Sequence, residues 1–171
     1  MTQQTIADAI RDATTYLSDH PDEARATDSA AVATIVDGLV VRVVGPNGAT
    51  ITTDMVPSVG GGASAPSPGW LLRAAEASCV TTLIAMRAAT LGIVLDTLEV
   101  TVDSVSDDRG LLGIDPTVPA GPLTGRVAVS LTAAGVDATT LDEVARWGVA
   151  HCPVCDALER EIPMTIEVTT A

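Results

Sequence analysis

The sequence predicts an α+β fold, and three observations carry that prediction. Several short β-branched stretches alternate or cluster as strands do, three longer stretches repeat their apolar residues every three or four positions, and the two kinds are interleaved without any internal repeat. The expected order is helix, three strands, helix, two strands, helix, strand.

Residues 3–19 read as a helix, with Ile6, Ile10 and Leu17 at helical spacing before HPDEARATD breaks the pattern. AVATIV (31–36) and LVVRVV (39–44) are strands joined by Asp37-Gly38, two residues that tolerate the positive φ of a tight hairpin. GPNG (45–48) turns the chain into a third strand, ATITTD. VPSVGGGASAPSPG (56–69) is too rich in Gly, Pro and Ser for regular structure and reads as a loop. From Trp70 to about Leu91 a helix is expected with Leu72, Ala75, Cys79, Leu83 and Met86 on its buried face and Gly92 as its stop. TLEVTVDSV (97–105) and RVAVSLT (126–132) alternate as half-buried strands, with a long loop between them. A helix capped by Thr140 follows, with Leu141, Val144, Ala145 and Gly148 inward, and PMTIEVTT offers a closing strand. Residues 1–29 form a helical leader, and residues 30–171 form the main domain.

At 171 residues the chain is long enough to bury one core without crosslinks. Hydrophobic residues make up 47% and aromatics 2%, with no Phe, so that core is aliphatic. The net charge is -13, and all nine basic residues are Arg. Such a balance cannot supply the basic footprint of a nucleic-acid surface, so no nucleic-acid partner is expected. No apolar run reaches membrane-spanning length, and MTQQTIADAI lacks the basic and apolar regions of a signal peptide. A cytoplasmic protein is expected, whose three cysteines are chemical or buried thiols rather than structural crosslinks.

Cys79 on an apolar helix face is by base rate a small inert hydrophobe. Cys152 precedes Pro153, a residue suited to the first position of a helix, so Cys152 falls at an N-cap-like or kink position. Unpaired amides there favour a thiolate. Cys152-Pro-Val-Cys155 has dithiol spacing, but such motifs normally open a helix after a strand, and here a helix precedes. Zinc needs four ligands, and nothing completes His151, Cys152 and Cys155.

The stretches GGGASAPSPGWLLRAAEASCVTTL and HCPVCDALEREI resemble the osmotically inducible protein C and organic hydroperoxide resistance (OsmC/Ohr) family. They look like its Gly-rich loop, proline and cysteine-bearing helix, and its second cysteine followed by Pro. LEVTVDSVSDDRG, GVDATTLDEVARW and IPMTIEV fit the same order, so the resemblance covers roughly residues 30 to 169. It implies long central helices packed against antiparallel sheet in an intertwined homodimer, which would also keep a chain of mean hydropathy +0.36 soluble.

The activity implied is a thiol-dependent peroxidase acting on organic hydroperoxides or peroxides generally. Cys79 matches the peroxidatic cysteine and Cys152 the resolving one; a dithiol, in this family typically a lipoylated protein, restores them, and no metal, flavin or haem is required. Such a thiolate needs a nearby cation, because an apolar pocket alone raises a thiol pKa. In VDGLVVRV, Arg42 matches the family's arginine; strand alternation by itself favours an outward side chain there. One departure stands out: Gly69 occupies the place of the Glu that holds that arginine. Glu76, one turn before Cys79, is the candidate substitute, although on a helix its ordinary reading is a solvated side chain. Trp70 and Gly69 are candidate pocket residues. Cys155 is close enough to compete with Cys79 for Cys152 or to relay a disulfide. The rival expectation is a member that has lost peroxidase activity and holds a small apolar ligand.

Overall fold

Alternating strands and amphipathic helices do organise the chain. The computed structural model describes residues 2–170. The elements are α1 (Gln3–Asp19), β1 (Val32–Asp37), β2 (Val40–Val44), β3 (Thr50–Thr53), α2 (Pro68–Thr90), β4 (Thr97–Val105), α3 (Asp108–Leu111), β5 (Thr124–Thr132), α4 (Ala138–Ala150) and α5 (Pro153–Glu159). The chain divides into two compact units. One holds Glu76–Val102, the chain from Arg126 onward and the N-terminal stretch to Ala7; the other holds Asp8–Ala75 and Asp103–Gly125.

The first unit contains the aliphatic core that the composition demanded. Val80, Ile84 and Ala88 lie four residues apart along α2 and are buried against Val144 of α4, with Cys152 and Cys155 closing the cluster. Leu98 and Val100 of β4 and Val127, Val129 and Leu131 of β5 pack on it from the sheet. Each Val or Ile side chain taken fully out of water there contributes roughly 1.5–3 kcal/mol. β4 and β5 run antiparallel: Asp96 N–H donates to the Thr132 carbonyl, and Thr97 and Thr132 hydroxyls meet at 2.8 Å. α4 crosses α2 at Gly148, where a Cβ would lie 2.4 Å from Ile84 Cγ1 and 2.9 Å from Ile84 N. Only glycine permits that approach. The first turn of α1 is tied to this unit by the Gln3 amide, which donates to the Ile93 carbonyl.

The second unit is built on an antiparallel sheet in the order β1-β2-β3. β2 is central, with Arg42 opposite Thr34 on one side and Thr52 on the other. After β3 the chain turns at Asp54, which is 1% exposed. Its carboxylate accepts from Met55 N (2.7 Å), Gly62 N (3.1 Å), Ser64 N (2.9 Å) and Ser64 Oγ (2.8 Å). One buried side chain therefore shapes the Gly-rich loop. Gly61 passes so close to Met55 that a Cβ would fall 2.0 Å from the Met55 carbonyl oxygen.

Three sequence expectations are corrected. The buried stripe of α2 is Val80, Ile84 and Ala88, while Cys79 is only partly buried and Ala75 is exposed. A helix apolar on most sides gives periodicity too little contrast to fix the face to within one residue. The cap of α4 is Asp137, whose carboxylate accepts from Thr140 N at 3.0 Å and the Thr140 hydroxyl at 2.8 Å, so the helix starts a turn's fraction earlier than predicted. PMTIEVTT is not a strand: Met164, Ile166 and Val168 are 81%, 86% and 79% exposed, and the segment has no regular structure. Alternation is not enough without a neighbouring strand edge to supply ladder hydrogen bonds.

Candidate functional site

The break between α4 and α5 creates the thiol cluster. His151 ends α4, its Nδ1 2.8 Å from the Trp147 carbonyl and its ring stacked on Trp147 at 4.0 Å. Imidazole and indole thus cap the helix, and the Arg87 guanidinium covers the indole at 5.1 Å. Cys152 then adopts an extended backbone (φ -76, ψ 114) as the N-cap of α5, with Pro153 in its first turn. Pro153 has no N–H, so the first amide the new helix can offer is that of Val154. That amide lowers the pKa of both Cys79 and Cys152.

Cys152 is the centre of the arrangement. Its sulfur accepts from Cys155 N at 3.4 Å, and Cys79 packs against the buried cluster it belongs to. Cys155 lies within hydrogen-bonding reach of Cys152 and offers its own S–H to Glu76 Oε1 at 3.7 Å. Cys152 and Cys155 are buried at 1% and 5% exposure, Cys79 is partly buried, and all three are free thiols.

Their surroundings separate the three acidities. Burial pushes the Cys79 thiol up, and the hydrogen bond it gives Cys152 pushes it further, against the Val154 amide. Burial works in the same direction on Cys152 but is outweighed by the Cys155 amide, then by the Cys79 and Cys155 thiols, so its pKa is held below the ordinary thiol value. Cys155 is pushed up to about 12, first by burial, then by its hydrogen bond to Cys152 and that sulfur's charge, then by the Glu76 carboxylate. Among the three, anionic character concentrates on Cys152.

The sequence candidates Arg42, Gly69 and Trp70 belong to the second unit. Arg42 sits on β2 in the second unit with its side chain exposed, and among the described residues it has no ion-pair partner. Trp70 is 49% exposed in the first turn of α2. Gly69 precedes it, and a Cβ there would meet nothing nearer than Ser67 Oγ at 4.0 Å, so no clash accounts for the lack of a side chain. Among the described residues, no group of three or more His, Cys, Asp or Glu side chains is disposed to hold a metal ion, and no helix is long and apolar enough to cross a membrane. Sequence reasoning missed the Val154 amide and the Asp54 carboxylate. The first had a readable signal, the proline before it; the second had only the Gly/Ser-rich loop that follows.

No curated protein sequence matches the chain. Among solved structures, an OsmC-like protein from Mycoplasma pneumoniae superposes with TM-score 0.66 at 16% identity, covering 79% of this chain and 89% of that one. An organic hydroperoxide resistance protein from Elizabethkingia anophelis gives 0.58 at 17%, covering 78% and 89%. The corresponding values for the organic hydroperoxide resistance protein OsmC from Legionella pneumophila are 0.55 at 19%, covering 78% and 90%. At these identities the likeness speaks for the α+β fold. The family model for OsmC-like proteins matches residues 60–167, the stretch that carries the Gly-rich loop, all three cysteines and both long core helices, and the chain accordingly belongs to the OsmC family.

Proposed function

We propose that the protein is a thiol-dependent peroxidase that reduces organic hydroperoxides, with Cys79 as the attacking and Cys152 as the resolving cysteine. The observation carrying this reading is that Cys79 and Cys152, 73 positions apart in the chain, pack together in one apolar core cluster that offers little other chemistry. Solved relatives of the fold include organic hydroperoxide resistance proteins, which supports the substrate class.

Cys79 is held above and Cys152 below the ordinary thiol value, so the reaction begins with loss of the Cys79 proton, for which Cys152 is the acceptor we assign. A guanidinium cation favours that transfer, and this is the role we assign to Arg42. The Cys79 thiolate attacks the outer peroxide oxygen, the O–O bond breaks, and the departing alkoxide takes a proton to become an alcohol. Cys79 is left as a sulfenic acid. The Cys152 sulfur then attacks Cys79, water leaves, and a disulfide joins them. An external dithiol, such as a lipoylated protein, returns both to thiols by two exchanges. In this reading the enzyme works in the cytoplasm as a homodimer, with Trp70 and Gly69 at the substrate pocket and residues 1–29 as a leader.

Steady-state reduction of cumene hydroperoxide by a lipoyl dithiol tests the reading: turnover should be abolished in Cys79→Ser, and unchanged peroxide consumption in that variant would refute it. A second reading, a non-catalytic binder of a small apolar ligand, is favoured by Gly69 in place of a carboxylate and by the exposed, unpaired Arg42. It predicts no turnover in the wild type.

A further inference from the structure

Two cysteines suffice for the reaction just described, yet three thiols are gathered here, and the third is not idle packing. Cys152 accepts from the Cys155 amide at 3.4 Å, and Cys79 packs against the cluster that holds both. Cys155 follows Cys152 by three residues on the first turn of α5, and the Cys155 S–H points to a carboxylate oxygen of Glu76. A buried thiol needs no such partner. Cys155 is also the only one of the three that lines the groove of about 930 Å³ between β5, α4 and α5, whose walls include Val129, Leu131, Leu141, Val149 and Arg146.

We propose that Cys155 receives the disulfide from Cys79, with Glu76 taking its proton, so that the chain stores its oxidised state as a Cys152 to Cys155 bond at the wall of the groove. This deepens the peroxidase reading and rests on it for the origin of the first disulfide. In the step itself the Cys155 sulfur attacks Cys152 while its proton passes to the Glu76 carboxylate. The Cys79 to Cys152 bond breaks, and its electron pair leaves on Cys79, which takes a proton from Glu76. No electrons enter or leave; one disulfide is exchanged for another, and Cys79 is free for a second hydroperoxide.

The need for a proton acceptor follows from the thiol's surroundings. Burial and the Glu76 carboxylate both disfavour the Cys155 thiolate, and both persist once Cys152 is in a disulfide, so exchange through the free anion is slow. Removal of the proton during attack avoids that anion.

The test uses the full reduced chain with one equivalent of diamide in one arm and one of cumene hydroperoxide in the other. Samples are acid-quenched over time, alkylated with N-ethylmaleimide and mapped by peptide mass. The expected sequence is Cys79 blocked first with Cys155 alkylated, then Cys79 alkylated again with the Cys152 and Cys155 peptide two hydrogens lighter. Cys155→Ser should stop at the first stage. Glu76→Gln should slow the second stage about tenfold relative to the first in the same sample, with the deficit closing as pH rises and the thiolate fraction grows. Cys155 alkylated at every time in the wild type would overturn the relay, as would a Cys152 to Cys155 bond formed with no earlier Cys79 link. If only diamide produces the ordered sequence, the relay stands and the peroxidase reading falls.

Discussion

Two buried polar centres stand out among the described residues, and they are built on opposite terms. Asp54 holds one carboxylate against four donors from a single loop, a closed account in which each acceptor site is matched and nothing is left to react. The thiol cluster gathers three weak donors and acceptors around Cys152, with fewer good hydrogen bonds than groups that could use them. Saturation fixes backbone, whereas under-supply leaves protons and sulfur free to exchange partners. The contrast separates scaffold from chemistry without reference to any relative.

The largest effects should come from the sulfur side. Cys79→Ser should lower kcat/KM for cumene hydroperoxide by at least about a hundredfold, as removal of an attacking group does. Cys152→Ser should still reduce one equivalent and then stall as a sulfenic acid, detectable by dimedone labelling. An Asp54→Asn protein that stays folded should keep the burst of peroxide consumption that Cys79→Ser loses. If Asp54→Asn alone abolished it, the division between scaffold and chemistry would be wrong.

Next in size is a change that touches the thiol core without touching a thiol. Gly148→Ala puts a methyl group into Ile84, including its backbone nitrogen, so α4 and α2 must separate. Overpacking of this kind costs about 1–3 kcal/mol, and in a domain of this size each kcal/mol lowers Tm by roughly 2–4 °C. The same shift should speed alkylation of buried Cys152 by N-ethylmaleimide. An unchanged Tm would show that the helices have slack the cluster does not need.

A smaller and opposite effect is expected at Gly69, where the space is open. Gly69→Glu places a carboxylate at the position where the resemblance to the family expects one. If Arg42 is the cation for Cys79, kcat/KM should rise about tenfold, the order expected of one charge-assisted hydrogen bond. No change, with folding intact, would remove Arg42 from the mechanism.

These two centres were not equally legible in the sequence. Strand β4 reads directly from its alternation, and the N-cap position of Cys152 follows from Pro153, because both depend on local rules. The face of α2 was misjudged, since Ala, Leu, Met and Val surround it and only packing chooses among them. The closing strand failed because pairing is a property of two segments. Cys79 and Cys152 became a candidate pair only through family resemblance; no spacing rule brings an α2 residue to the start of α5. Asp54 could not be found at all, as its partners are backbone amides of a loop whose path it determines.

The smallest expected effect is on stability against pH, and it sets the two centres at opposite ends of the scale. Asp54 is held below the usual carboxylate range, first by the Ser64 amide and hydroxyl and then, against burial, by the Met55 and Gly62 amides. A carboxylate whose pKa is lower folded than unfolded gives stability that is complete above the unfolded value of about 3.9 and is lost as pH falls through the folded one. Cys155 runs the other way: raised to about 12, its contribution is complete below the unfolded thiol value and is lost as pH climbs from about 8.5 toward 12. Urea midpoints across pH should therefore show Asp54→Asn flattening part of the acid limb. Only part is at stake, because Asp107, Asp115 and Asp137 are depressed as well. Cys155→Ser should flatten the alkaline limb and leave the acid limb unchanged. A variant that altered both limbs would mean that the loop and the thiols unfold through one shared structure, and the contrast between them would lose its physical basis.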